Sequence, residues 1–445
     1  MMNPEPPRQF ALLRQRRFAP FFWTQFAGAA NDNLFKFAFT VMVTYQLQIS
    51  WLPPALAGLV IGGLFILPFV LFSATSGQIC DRLEKTRVIR AVKNLEIIIM
   101  VFAAGAFLMD SPDVQAGVLL VCTFLMGLHS TLFGPVKYAL LPQVLTEREL
   151  VGGNALVESG TFVAILLGNL AGGFLVALPV VGSQAVALGC LLLALLGRLS
   201  AGRMEPLPAT DPQLRINWNP WTETARNLRL AREDLVSWNM LLGISWLWFF
   251  GAVFLSQFPV LAREVLRGSE QVASLLLVVF SVGIGLGALM CERLSRGRVE
   301  IGLVPLGALG MSVFTIDFWL ATRNLPPGAL MDVADFVAQP AHWRILFDLC
   351  LLSASAGLFS VPMYALIQVR SRLSHRSRII AANNILNALF MVASALIAAA
   401  LLMAGVSLSG LFVYLGLANL LMLAWLVWRV PELLHRARAL VVGAP

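Results

Sequence analysis

Apolar runs long enough to cross a bilayer follow one another along almost the whole chain, broken by short polar stretches rich in Pro, Gly and Arg. About 20 helical residues cross the ~30 Å hydrocarbon core. By that measure the pattern predicts spans near 20–49, 55–79, 88–109, 114–138, 151–177, 180–201, 237–262, 271–292, 301–322, 343–369, 379–403 and 408–430. One longer polar interval, 202–236, separates six spans from six. The expected organisation is an arm (1–19), a six-helix bundle (20–201), a linker (202–236), a second six-helix bundle (237–430) and a tail (431–445). The fold class is all-α and polytopic, with no interval left over for a soluble domain.

Composition agrees. Charged residues make up 13% of the chain and hydrophobic ones 58%, with mean hydropathy +0.79, whereas soluble domains carry about 25% charged residues. The net charge of +8 belongs to loops in such a protein, so no nucleic-acid partner is expected. Lys and Arg mark the cytoplasmic side. Counted by span, 25 fall on the side of the termini and four (Arg263, Arg267, Arg323, Arg344) opposite, while Lys36, Lys93 and Lys137 lie within spans. Both termini are therefore expected in the cytoplasm. The first apolar run lacks a small-residue cleavage site, so it reads as a span rather than a signal peptide. Five scattered cysteines and four isolated histidines give no metal or cofactor site. Nucleophile elbow, acyltransferase His-x4-Asp motif and phosphate loop are all missing, so no catalytic residue is assigned.

Polar residues inside the spans come next, because a charge in hydrocarbon costs at least ~2.5 kcal/mol and tends to face a wet cavity or bundle interior. Span 1 carries Asn31-Asp32-Asn33 and Lys36, with Asp32 and Lys36 on one helical face. Lys137 closes span 4, and Asn154 and Glu158 lie in span 5. An Asp32–Lys137–Glu158 network is expected. Lys93 and Glu96 read as snorkelling or structural groups near the cytoplasmic end of span 3, and His129 as a packing residue. Glycines at 164–173 and 281–289 read as helix-packing surfaces. In the linker, Asn219-Pro220 starts a helix whose Arg226, Arg229 and Arg232 are expected at the anionic leaflet.

The two halves repeat. LFGPVKYALLPQ (132–143) aligns with LFSVPMYALIQV (358–369), GGNALVE (152–158) with AANNILN (381–387), and QFAGAANDN (25–33) with WFFGAVFLS (248–256). Gly77, Asp81, Arg82 and Arg87 match Gly287, Glu292, Arg293 and Arg298 with one inserted residue. The motif G-x-x-x-D-R-x-x-x-x-R and two parallel six-span halves resemble the transporters of the major facilitator superfamily. The resemblance implies that this acid and these arginines latch helix ends on the cytoplasmic side when the cavity faces outward. The intramembrane charges are not repeated: Asp32 meets Leu255, Lys36 meets Pro259, Lys137 meets Met363 and Glu158 meets Asn387. With Trp246, Trp248, Phe249, Phe250, Phe254 and Phe258 in span 7, the expected cavity is charged on one wall and apolar on the other, which suits an amphiphile.

NDNLFKFA (31–38), GPVKYALLPQ (134–143) and ELVGGNALVESGTFVAILLGNLAGG (149–173) resemble the bacterial lysophospholipid transporter family. That resemblance implies a flippase of the bacterial inner membrane, moving lysophospholipids such as lysophosphatidylethanolamine to the cytoplasmic leaflet for reacylation. It implies Asn31, Asp32, Asn33, Lys36, Lys137, Asn154, Glu158 and Gln257 as substrate-facing residues. It implies membrane lipids and a separate acyltransferase/acyl-carrier-protein synthetase as partners, since no such domain follows Pro445. Two departures stand out. Asn31 occupies a position where the family often has Gly, and span 7 offers Ser256 and Gln257 where a basic residue is expected. Two other readings stay open, a proton-coupled exporter of amphipathic drugs using Asp32 as proton carrier, and a non-transporting scaffold for lipid enzymes.

Overall fold

The computed structural model describes residues 9–53, 57–325 and 328–442. Residues 1–8 of the expected arm and 443–445 of the tail lie outside the described residues. Twelve long helices carry the fold: α1 (Ala19–Val41), α2 (Ala57–Arg82), α3 (Lys85–Phe107), α4 (Pro112–Ala139), α5 (Glu147–Val176) and α6 (Gly182–Gly202), then α7 (Leu235–Val260), α8 (Glu270–Ser295), α9 (Leu303–Thr322), α10 (Pro340–Arg370), α11 (Arg376–Met403) and α12 (Leu408–Arg429). Ten are long and apolar enough to cross a membrane on composition alone. The other two, α1 and α3, carry the buried charges described below.

Local signals set many of the ends. Pro112 opens α4, where a missing N–H costs nothing. A reciprocal Thr146–Glu149 capping box opens α5, and the carboxylate of Asp234 caps α7 at Ser237. The linker helix Pro220–Arg232 starts as its sequence predicts, with Asn219 Oδ1 accepting from the Trp221 and Thr222 amides. It packs beneath α2, α7 and α11 with Glu223, Asn227 and Ala231 buried, so it braces the bundle.

Packing repeats as the sequence does. In the first half α1 lies on α5 and α6, α2 on α4, and α3 on α4 and α6; in the second, α7 lies on α11 and α12, α8 on α10, and α9 on α10 and α12. Glycine sets the closest of these approaches. A Cβ on Gly172 would sit 2.6 Å from the Leu34 carbonyl oxygen, and one on Gly168 would strike that of Ala30. Both lie on the α1–α5 seam, so the 164–173 glycines pack helices. Large apolar side chains on the peripheral helices remain exposed, among them Phe102, Leu196 and Leu421. A soluble protein would not tolerate such a surface, and a lipid-facing one requires it.

The halves meet through α2 on α11 and α5 on α8, with α4 touching α11 and α5 touching α10. Both terminal segments lie at one end of the molecule. Gln9 reaches Glu292 and Leu289, and the helix Glu432–Val442 packs at Gly302. We call this end the arginine-rich face.

Candidate functional site

Buried polarity is concentrated in the first half. At ~1.5 Å per residue, Asp32 lies about 20 Å along α1 from its start, near the middle of the span. Its Oδ2 accepts from Ser130 Oγ of α4 at 2.5 Å, and Oδ1 is buried without a partner. Ser130 Oγ is in turn 3.5 Å from His129 Nδ1, and His129 Nε2 lies 3.2 Å from Glu96 Oε2. Glu96 closes an ion pair with Lys93 and accepts from Asn31 Nδ2 at 2.7 Å. Lys93 is packed against Gly28 of α1 and Gly197 of α6, both positions where a Cβ would crowd its ammonium. Thus Lys93 and Glu96 do not snorkel, and His129 belongs to a charged cluster rather than to apolar packing. One connected series of polar groups runs from Asp32 through three helices.

Lys137 and Glu158 stand in a second group. Lys137 Nζ donates to Thr161 Oγ1 at 2.8 Å, Thr161 donates to Gln25 Oε1 at 3.0 Å, and the Tyr138 hydroxyl donates to Glu158 Oε1 at 2.6 Å. No ion pair joins Lys137 to Glu158 or Asp32 among the described residues. Lys137 lies in the last turn of α4. A short helix, Leu141–Val144, follows α4 past a break at Leu140. Pro142 explains the break, because it has no N–H to donate to the Tyr138 carbonyl.

That carbonyl is satisfied from the other half. Gln368 Nε2 donates to Tyr138 O at 3.2 Å and exchanges amide bonds with Asn154 at 2.6 and 3.0 Å. In the repeat, Gln368 is the counterpart of Pro142 itself. The rings of Tyr138 and Tyr364, also counterparts, stack with centroids 4.4 Å apart and planes at 3°. Ser159 Oγ donates to Gly285 O at 2.9 Å. These contacts close the space between the halves from mid-span to the arginine-rich face.

The remaining residues expected at the site are more scattered. Lys36 places its ammonium 3.9 Å over the Phe65 ring. Asn33 donates back to Ala29 O at 2.8 Å, and Gln257, at the far end of α7, donates to Ser256 Oγ at 3.2 Å. The aromatic wall divides. Phe250, Phe254 and Phe258 turn into the second half's own core against Phe280, Phe318 and Phe412, leaving Trp248, Gly251, Ala252, Leu255 and Pro259 on the open face. Glu158's counterpart Asn387 bonds Ser245 of α7 at 2.9 Å.

At the arginine-rich face, a Cβ on Gly77 would lie 2.8 Å from that of Ala381, so α2 and α11 touch there. Asp81, fully buried, receives Arg378 Nε at 3.1 Å, the Ser377 amide at 3.3 Å and Thr210 Oγ1 at 3.1 Å; Arg378 also reaches Asp211 of the linker at 3.3 Å. The motif's arginines differ from expectation. Arg82, Arg293 and Arg298 are exposed and make no ion pair among the described residues, and Arg87 pairs with Glu84 of its own loop. Their long, strongly hydrated side chains reach water more cheaply than an interface. Glu292 accepts the Gln9 amide at 3.3 Å instead of a guanidinium. Beside this latch, Arg370 forks onto Asp234 at 2.7 and 2.8 Å. Those hydrogen bonds and the Arg370 charge hold the Asp234 carboxyl down at about 2, against the opposing pull of partial burial.

Sequence reasoning missed Ser130, Tyr364, Gln368 and Arg378. For Arg378 a signal existed. The register that aligns Gly152 with Ala381 aligns Glu149 with Arg378, so only one of the two related latches can hold opposite charges. Glu149 pairs with Arg17 at 2.5 Å. No cluster of His, Cys, Asp or Glu able to hold a metal occurs among the described residues.

Comparison with known proteins places this architecture. Over 377 residues the chain is 26% identical to the lysophospholipid transporter LplT of Serratia proteamaculans, covering 83% of this chain and 84% of that one. Among solved structures it is similar to the human organic anion transporter MFSD10, with TM-score 0.70, 14% identity and coverage of 96% and 100%. It is likewise similar to the fucose:proton symporter FucP of E. coli, with TM-score 0.68, 12% identity and coverage of 96% and 99%. At such identities these structures speak for the fold alone. The family model described as Major Facilitator Superfamily matches residues 21–340, and with two six-helix halves related by sequence and packing, the chain belongs to the Major Facilitator Superfamily.

Proposed function

We propose that this protein carries lysophospholipids across the bacterial inner membrane by alternating access. The arginine-rich face, which holds 25 of the Lys and Arg residues outside the spans against four opposite, is taken as cytoplasmic. The contacts between Tyr138 and Tyr364, Asn154 and Gln368, and Asp81 and Arg378 then form a closed inner gate, and the conformation faces outward. Across the opposite half of the membrane the halves share a single polar contact among the described residues, Tyr45 with Glu270 at 3.4 Å.

The observation that carries the reading is the asymmetry around Asp32. Its free Oδ1, with Lys36 and Lys137 nearby in the first half, offers a carboxylate for an ammonium and amines for a phosphate. The counterpart positions Leu255, Pro259 and Met363 offer only apolar surface, suited to one acyl chain. A relative named as a lysophospholipid transporter supports the same substrate class. Movement runs from the outer to the cytoplasmic leaflet, where a separate acyltransferase restores the second chain.

The test is reconstituted transport of labelled lysophosphatidylethanolamine beside its diacyl form, scored by leaflet with albumin back-extraction. D32N and K137A should each lower lysolipid movement about tenfold or more, equivalent to ~1.4 kcal/mol of lost recognition. Unchanged movement in both variants removes the site, and equal movement of diacyl lipid makes the protein a scramblase. A second reading, proton-coupled export of amphiphiles, draws on the Asp32–Ser130–His129–Glu96 series, whose titratable groups are spaced for proton passage. Lysolipid movement that collapses with the proton gradient would favour it.

A further inference from the structure

A cavity of about 250 Å³ opens at the end of the second half opposite the termini, away from the path between the halves. Three elements converge on it. Glu264 and Arg267 come from the turn that follows α7, Arg323 ends α9, and Ser409 begins α12. Liquid water occupies ~30 Å³ per molecule, so there is room for a small polar group.

The cations are placed with care. Neither Arg267 nor Arg323 forms an ion pair among the described residues, whereas Arg344 on the same face is paired with Asp317. Arg267 has φ +51°, a left-handed conformation unfavourable for a residue bearing a Cβ. Three backbone hydrogen bonds hold it there: Met331 N to Arg267 O at 2.7 Å, Ser269 N to Met331 O at 2.8 Å, and Gly268 N to Ala262 O at 2.7 Å. Arg323 lies over the ring of Trp319 at 4.8 Å, which steadies its plane. Two guanidinium forks match phosphate oxygens. Glu264 beside them disfavours a bare anion and suits an ammonium. Leu325 and Val265 add apolar flank, at the level where Trp and Arg anchor to headgroups.

We infer that this cavity binds the phosphate–ammonium headgroup of a phosphatidylethanolamine-type lipid from the leaflet opposite the termini. The guanidinium groups of Arg267 and Arg323 take the phosphate and Glu264 takes the ammonium. None of these residues belongs to the polar series around Asp32, so the site stands apart from the transport path.

Native mass spectrometry of the full-length protein, released from vesicles of phosphatidylethanolamine and phosphatidylglycerol, tests this. The wild type should retain one phosphatidylethanolamine per chain, and R267A/R323A should retain about tenfold less. E264Q, which removes no guanidinium and serves if the double variant fails to assemble, should lose preference for phosphatidylethanolamine over phosphatidylglycerol. Millimolar inorganic phosphate should displace neither lipid. Unchanged retention in R267A/R323A overturns the site, full displacement by inorganic phosphate shows a free-anion site instead, and unchanged preference in E264Q removes the ammonium contact. D32N should retain the lipid fully, which keeps this result separate from any failure of the transport reading.

Discussion

Replacing Arg378 by alanine is expected to loosen the arginine-rich face by a calculable amount. Asp81 and Arg378 are 0% and 1% exposed, so the variant leaves a buried carboxylate without its cation. Breaking such a pair costs ~3–5 kcal/mol. The Ser377 amide and Thr210 hydroxyl still donate to Asp81, and each returns ~1 kcal/mol. The residual penalty is ~2 kcal/mol, and it applies only while the halves are closed, since water solvates Asp81 once α2 and α11 part. A difference of ~2 kcal/mol moves the equilibrium toward the open form about 30-fold. Cys291 reports the change. It is fully buried against Val151 and Ala155 of α5, across the boundary between the halves. With the other four cysteines replaced by alanine, maleimide labelling of Cys291 should quicken about 30-fold in R378A, given rapid exchange between states. D81N/R378A, which buries no charge, should label within a few-fold of wild type. Wild-type labelling in R378A would refute the argument. So would equally fast labelling in both variants, because lost packing rather than an unpaired charge would then be responsible.

Three further outcomes follow from the same geometry. K93M should lower thermal stability in detergent by ~3–5 kcal/mol by stranding Glu96, and K93M/E96Q should recover part of that loss. G168V should abolish assembly or transport by forcing α1 off α5, whereas G105A, with open space around it, should be neutral or stabilising by up to ~1 kcal/mol. D234A should cost ~1 kcal/mol through loss of the α7 cap. Because the folded carboxyl is held at about 2 against an ordinary 3.8, the Asp234 contribution is complete above about pH 4 and lost as pH falls toward 2. Wild type and variant should therefore differ equally at about pH 7 and pH 5 and converge under stronger acid in thermal-unfolding scans.

Twelve helices and their order were legible in the sequence because hydropathy is a local sum that needs no knowledge of neighbours. The repeat was legible for a similar reason, since counterparts keep residue type and register even where function has diverged. It exposed the loss of charge from Asp32 to Leu255, and the same register, pushed three residues further, pairs Glu149 with Arg378 and accounts for the single ionic latch.

Partner choice was a matter for tertiary structure. Span 1 displays Asp32, but nothing near it in sequence names Ser130 as its donor. Lys93 and Glu96 look like residues able to reach water, and only the glycines at 28 and 197, on two other helices, wall them in. Pro142 breaks the end of α4, and the Tyr138 carbonyl freed there found Gln368, 230 positions on. Phe254 and Leu255 are adjacent in sequence, yet one enters the core of its bundle and the other faces the open side, a choice set by the rotation of α7 against α8, α9 and α12. An isolated helix can be recognised from its own residues. Which of its faces is wet, and which charge meets which, depends on neighbours that only the packed bundle brings within reach.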